Sequence, residues 1–197
     1  MTRRTTAAAA VAYALVLSAC SMARMPELSR FDAQYMPYSS AEAVSSTTFE
    51  RKNTAGDLPH CVASVVTNRG EVLSDNVGSF VGAYSGTLYQ ANNKASASGG
   101  NVIERTSKDG KSVVASGSTR YQRDALIKRS VRFTLMAKAG KDRTTYRFAN
   151  IEQAQLDTGY ANNDGYNHIG SWPGANPDLA LQALESLADR LDSCMAR

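Results

Sequence analysis

The chain has 197 residues, of which 43% are hydrophobic and 20% charged, and its formal net charge is +4. This length is typical of a single domain with a sizeable hydrophobic core. So small a basic excess argues against a dedicated nucleic-acid binder, which usually carries a concentrated basic patch.

The N-terminal residues have the parts of a bacterial export signal. Arg3 and Arg4 precede an apolar run at residues 7–17, which is too short to span a bilayer permanently. The run ends in Leu17-Ser18-Ala19-Cys20, which resembles the lipobox of bacterial lipoproteins. An ordinary secretory signal with a chance cysteine is the alternative interpretation.

The resemblance to lipoproteins implies that residues 1–19 are removed and that the mature chain begins with an acylated Cys20. Several acyl chains together form a stable membrane anchor. In such lipoproteins an aspartate after the cysteine commonly signals retention in the inner membrane, so Ser21 favours the outer membrane. Cleavage also removes Arg3 and Arg4, which leaves only a mild basic excess.

Residues 20–50 are rich in serine, alanine, methionine and threonine, which predicts a flexible lipidated tether. An edge strand at residues 44–51 is the alternative for the end of this segment. A single domain is predicted for residues 51–197. Its first element is a β-branched run at residues 61–67, which is typical of a strand.

The stretch at residues 74–92 carries two opposing signals. Its large apolar residues have helical spacing, whereas three glycines disfavour a helix. We predict a helix here, because glycines four residues apart would allow close packing on a sheet. The apolar residues are Val77, Phe80, Val81, Tyr84 and Leu88, and the glycines are Gly78, Gly82 and Gly86.

Four strands are predicted next, at residues 101–107, 111–120, 127–138 and 144–151, with a hairpin turn at Asp109-Gly110. The last two alternate apolar and polar residues, as in an antiparallel sheet covered on one face. A final helix follows Asn176-Pro177-Asp178 and buries Leu181, Leu184, Leu187, Leu191 and Cys194. The predicted fold class is therefore α+β, an antiparallel sheet of about five strands with two helices packed on one face.

Segments at residues 101–104, 108–117, 131–135 and 145–151 make the chain similar to a domain-of-unknown-function family of exported bacterial proteins with a TATA-binding-protein-like fold. The resemblance implies the order strand–helix–four strands–helix, with both helices on one sheet face. It implies no catalytic residue. The glycines of the predicted first helix and the long loop before the last helix depart from that family.

Two cysteines are left when Cys20 is acylated, an even number in an oxidising compartment. We predict a disulfide between Cys61 and Cys194. The alternative is a nucleophilic Cys61 activated by His60. Because neighbouring residues on a strand point to opposite faces, this alternative is disfavoured.

Catalytic and metal-binding motifs are missing from the sequence. It has no HExxH, GxSxG, Walker A or CxxC pattern, and its two histidines belong to no cluster with metal-ligand spacing. We therefore predict no metal, no cofactor and no enzymatic activity. Calcium at Asp157, Asn163 and Asp164 is a minor alternative, because the EF-hand spacing is absent.

Two surfaces are candidates for ligand binding. The first is the loop at residues 157–176, whose amphipathic aromatic residues suit a sugar or a protein partner. The second is the sheet face opposite the helices, where basic residues suit an anionic envelope ligand such as lipid A phosphates or peptidoglycan carboxylates. Simple packing of the loop and a merely solvated sheet face are the alternatives. The candidate residues are Tyr160, Tyr166, His168 and Trp172 in the loop, and Arg120, Lys128, Arg132, Lys138 and Arg147 on the sheet. Five of them are the predicted ligand contacts: Arg132, Arg147, Tyr166, His168 and Trp172.

These features together predict a non-enzymatic outer-membrane lipoprotein that binds an envelope protein or an anionic envelope ligand. An enzyme or accessory subunit acting on cell-wall or lipid substrates is the alternative. A third hypothesis is a structural assembly subunit that associates through residues 44–51. No nucleic-acid partner is expected.

Overall fold

The computed structural model describes residues 23–124 and 127–197, so the predicted signal peptide and Cys20 lie outside the described residues. The main sheet is antiparallel and has seven strands: β1 (Asp32–Tyr38), β2 (Ala41–Arg51), β7 (Ile103–Thr106), β8 (Ser112–Gln122), β9 (Lys128–Ala139), β10 (Thr144–Gln155) and β11 (Asn167–His168). Their order across the sheet is β1-β2-β10-β9-β8-β7, and β11 pairs with β10.

Two helices, α1 (Leu58–Val65) and α2 (Pro177–Met195), share one buried core with the sheet. Helix α2 contributes the predicted leucine stripe, because Leu181, Leu184, Leu187 and Leu191 are all buried. Inward-facing strand residues such as Phe133 and Phe148 complete the core, with their rings 5.0 Å apart edge to face. The α+β class is confirmed, although the main sheet has seven strands instead of about five.

The Cys61–Cys194 disulfide predicted from the sequence is present and joins α1 to α2. The two Cα atoms are 5.7 Å apart, and 133 positions separate the cysteines along the chain. Cys61 is almost fully buried, at 2% exposure. The bond therefore fastens the last helix to an element near the beginning of the domain, and it leaves no thiol for the nucleophile considered above.

The predicted tether at residues 20–50 must be corrected, because the fold begins well before residue 51. Strand β2 lies between β1 and β10, and its Val44 and Phe49 belong to the core. A short 3₁₀ turn at Pro26–Arg30 already buries Leu28. Ser46 and Thr47 are buried as well. The serine and threonine content of β2 is what made this segment resemble a linker. The domain therefore includes the whole stretch from residue 25 onward.

The predicted strand at residues 61–67 is also wrong, because most of it lies in α1. The Asp57 carboxylate accepts a hydrogen bond from the His60 backbone N–H, which caps the helix, and a proline follows in the first turn. Leu58, Cys61 and Val62 are spaced for one helical face and are buried. Burial of this face outweighs the strand preference of the valines.

The helix predicted at residues 74–92 is replaced by a β-arm at residues 71–97. Its stem pairs β3 (Glu71–Asp75) with β6 (Asn93–Ala97), and its tip, residues 76–92, pairs β4 (Phe80–Val81) with β5 (Leu88–Tyr89). Gly78 and Gly86 have φ angles of 90° and 64°, a conformation that favours glycine and is incompatible with a right-handed helix. The glycines therefore mark turns.

The strands predicted downstream are confirmed with small changes of bounds as β7, β8, β9 and β10. Strand β10 carries an irregularity beyond Ala149, where Asn150 has a φ of 51°. Up to Ala149 this strand pairs with β2, whereas Glu152 and Gln153 pair with β11. The irregularity thus admits part of the loop at residues 157–176 into the sheet. No helix within the described residues is long and apolar enough to cross a membrane.

Candidate binding surfaces

The sheet face opposite the helices, here called the outer face, carries the basic residues predicted for it. Strand register places Arg120, Lys128, Arg132, Lys138 and Arg147 on this face. The stem of the arm covers part of it, since Glu71 reaches down to Arg120 and Ser130. The arm therefore covers part of the outer face, while the five basic residues remain exposed.

A polar network centred on the buried residues Glu71 and Ser130 joins the arm to the outer face. Glu71 is only 6% exposed, and its carboxylate accepts two hydrogen bonds from Arg120, at 2.9 and 2.5 Å. The Ser130 hydroxyl donates to the same carboxylate at 3.1 Å, and the Tyr166 hydroxyl donates to Ser130 at 2.8 Å. Burial raises the pKa of Tyr166, so its phenol is protonated at neutral pH. The network holds the arm at a fixed position on the sheet.

Arg132 and Tyr166, two predicted ligand contacts, do come together. The Arg132 guanidinium lies 4.4 Å from the centre of the Tyr166 ring, and its Nε donates to Glu152 at 2.5 Å. Glu152 thus neutralises a charge that was expected to serve a ligand. Arg147 is separate, because its partner on β9 is Met136, about 13 Å along the strand from Arg132.

His168 and Trp172, also predicted contacts, form a second group with Tyr38, here called the aromatic corner. The Trp172 and Tyr38 rings are stacked with their centres 6.5 Å apart. The His168 ring meets the Tyr38 ring edge to face, with the centres 5.6 Å apart. Gly170 provides the space, because a Cβ there would lie 2.2 Å from the Trp172 ring. All three aromatic residues are partly exposed. Tyr38 was missed because it lies in the segment predicted to be a tether.

The loop between β10 and α2 uses its polar residues for its own structure. Asp157 accepts the Gly159 N–H, and the Asn163 amide donates to Ser74 O and Gln155 O. Among the described residues no three His, Cys, Asp or Glu side chains could together hold a metal ion. The minor calcium alternative gains no support from this loop.

The tip of the arm is the most exposed apolar surface of the described chain. Five large apolar or aromatic side chains are each more than half exposed there: Phe80, Val81, Tyr84, Leu88 and Tyr89. The Phe80 and Tyr89 rings stack at 4.9 Å. Residues 76–92 contain no charged side chain. Beyond the Asn76 N–H bond to Gly159 O, hydrogen bonds of the tip are made within the arm.

A cleft beside β8, here called the arginine cleft, has a volume of about 470 Å³. Arg69, Arg120 and Arg190 line it together with the hydroxyl residues Thr67, Ser118 and Thr119. Arg120 is bound by Glu71, but Arg69 and Arg190 make no ion pair within the part of the chain that the structure describes. The sequence pattern did not reveal this cleft, because its arginines come from three distant segments.

Searches against protein-family models, curated proteins and solved structures find no match to this chain.

Proposed function

We propose that this protein is a lipid-anchored module of the bacterial outer membrane that acts by binding an envelope protein through the tip of its arm. The observation that carries the proposal is the exposed, uncharged apolar surface formed by residues 76–92. Soluble domains rarely expose contiguous apolar surface unless it meets a partner. The anchor itself rests on the sequence Leu17-Ser18-Ala19-Cys20.

The chemistry of the tip favours a protein partner over an anionic membrane surface. Aromatic residues are typical of the centre of protein interfaces, where charged residues are depleted. At the end of the stem nearest the tip, Asp75 accepts hydrogen bonds from the Asn93 side chain and from the backbone N–H groups of Val77 and Asn163. These bonds lower the pKa of Asp75 and keep it negatively charged. A fixed negative charge at this point would be repelled by anionic lipids.

Replacing Tyr84 and Leu88 together by serine is expected to release the protein from its complex. The full lipoprotein, extracted from membranes in mild detergent, should migrate as a species larger than the monomer, and the double variant as the monomer. The matched control is Val72→Ser, which removes from the stem of the arm an apolar side chain about as exposed as Leu88. Both substitutions should change the free energy of unfolding by less than about 0.5 kcal/mol, as surface changes usually do.

Size measurement of the extracted complexes, combined with thermal unfolding, separates the outcomes. Loss of the complex in the tip variant alone supports the proposal. A complex that survives the double substitution, or an extracted wild-type protein that is already monomeric, contradicts it. A homodimer of the wild type would contradict it as well, because the partner would then be a second copy. The strand at residues 44–51, which the assembly-subunit hypothesis would use, is already paired with β1 and β10.

The arginine cleft supports an anionic ligand as a second binding function. Two arginines without acidic partners line the cleft together with hydroxyl residues, a set of donors suited to a phosphate or a carboxylate, and the Glu71 carboxylate in the same lining is bound by Arg120. This location differs from the Arg132 and Arg147 surface predicted from the sequence. The cleft is favoured because Glu152 already neutralises Arg132.

Inorganic phosphate is expected to shift the backbone amide signals of Ser118, Thr119 and Arg120 in a saturable NMR titration. Replacing Arg69 and Arg190 by glutamine should weaken binding at least about tenfold, which corresponds to about 1.4 kcal/mol. Arg147→Gln is the matched control, since it removes an exposed arginine from a different part of the molecule. Equal shifts with chloride, or titrations that are identical in all variants, would rule out the cleft as a phosphate site.

A further inference from the structure

We propose that the aromatic corner of Tyr38, His168 and Trp172 rests on the headgroup region of the bilayer that holds the lipidated Cys20. This inference depends on the anchor in the proposed function and adds an orientation to it. It follows from where the chain enters the fold and from which side chains lie at that point.

The entry point of the chain is close to Trp172. The Met25 N–H donates a hydrogen bond to Ser171 O at 2.9 Å, directly beside Trp172 in the sequence. Arg24 is also fixed, because it pairs with Glu42 at 2.6 Å and lies 3.7 Å from the centre of the Tyr35 ring. The domain is therefore attached at this edge of the sheet.

The connection from Cys20 to Met25 is too short to hold the domain away from the membrane. Five residues span at most about 18 Å even when fully extended. The flexible tether of about 25 residues expected from the sequence would have allowed the domain to turn freely. Because β1 and β2 are part of the fold, the lipid instead brings the edge near Met25 against the headgroups.

The side chains at this edge suit that position. Tryptophan and tyrosine are enriched at membrane–water interfaces, where an apolar ring and a polar group are both accommodated. Trp172 and Tyr38 are stacked and partly exposed. Arg24 and Glu42 neutralise each other, so no unpaired charge of this pair has to be desolvated. A rigid aromatic surface beside the lipid attachment point would fix the orientation of the whole domain.

Trp172 is the only tryptophan of the chain, so its fluorescence reports on the corner without any substitution. The full lipoprotein is purified, its acylation is verified by mass spectrometry, and it is reconstituted in phosphatidylethanolamine–phosphatidylglycerol vesicles. Lipids brominated near the headgroup should cause a loss of Trp172 emission relative to the same vesicles without bromine. A Trp172→Phe, Lys141→Trp variant moves the reporter to the exposed turn between β9 and β10, at the end of the sheet opposite Tyr38, where no loss is expected.

The possible outcomes distinguish the corner proposal from the lipid anchor. Loss of emission at position 172 but not at position 141 supports the proposed orientation. An acylated protein whose Trp172 is not quenched overturns the corner proposal and leaves the anchor intact. Equal quenching of both reporters also overturns the corner proposal. A mature chain without acyl groups overturns the corner proposal together with the anchor.

Discussion

Removing the Cys61–Cys194 disulfide is expected to lower the free energy of unfolding by about 4–5 kcal/mol, because the bond closes a loop of more than a hundred residues. In the chain-entropy model, such a cross-link restricts the unfolded chain more as the loop becomes longer. The stabilisation is a large fraction of the roughly 5–15 kcal/mol typical of a domain. The bond also joins α1 to α2, which would otherwise be held together by side-chain packing alone.

The measurement is urea unfolding of the mature chain with Cys20→Ser, compared with the same chain carrying Cys61→Ala and Cys194→Ala. Replacing both cysteines avoids leaving a free thiol. Adding a reductant should destabilise the first protein to a similar extent and leave the second unchanged. A difference below about 1 kcal/mol, which is the size of an ordinary substitution, would contradict the role assigned to this bond.

The second large effect concerns β1 and β2. A chain that begins at Ala23 is expected to fold, whereas one that begins at Arg51 is expected not to. The shorter chain lacks Leu28, Val44 and Phe49, which are almost completely buried. Each buried side chain of this kind contributes about 1.5–3 kcal/mol, so their combined loss approaches the whole stability of a typical domain.

Deleting β2 would also expose the edge of β10, to which β2 is paired from Thr144 to Ala149. An uncovered central strand promotes association with other chains. Circular dichroism and thermal unfolding of the two truncated chains provide the test. A cooperative unfolding transition in the chain that begins at Arg51 would show that the strands are dispensable, against this description of the domain.

The elements that sequence reasoning identified correctly have a strong local signal. Helix α2 begins with Pro177 and carries leucines at helical spacing, so burial and local preference agree. The strands β9 and β10 face the helices with one apolar side, and their alternation is visible in the sequence. Even the disulfide followed from the number of cysteines and the expected compartment.

The elements that were missed depend on tertiary contacts. In β2, Ser46 and Thr47 are buried between neighbouring strands, although their composition is typical of a linker. In α1, a capping aspartate and burial override the β-branched residues. In the arm, Gly78 and Gly86 determine turns while the spacing of the apolar residues resembles a helix. Composition and periodicity alone do not distinguish these cases.

For the candidate site residues, the sequence did not indicate which of them lie together. Arg132 and Tyr166 do meet, but Glu152 reaches Arg132 only because of the irregularity at Asn150. Trp172 and His168 meet through Tyr38, which comes from a strand that was not expected. Register shifts and long-range pairings of this kind have no local signal in one sequence.

The proposed location, function and orientation all require that Cys20 is acylated, so detection of a lipid there is the most direct test. Cells of a Gram-negative host producing the full chain are labelled with radioactive palmitate, and their outer membranes are separated from inner membranes and periplasm. We expect labelled protein in the outer-membrane fraction, and an unlabelled protein that leaves this fraction when Cys20 is replaced by alanine. A wild-type chain that is exported but unlabelled and found free in the periplasm would contradict the account.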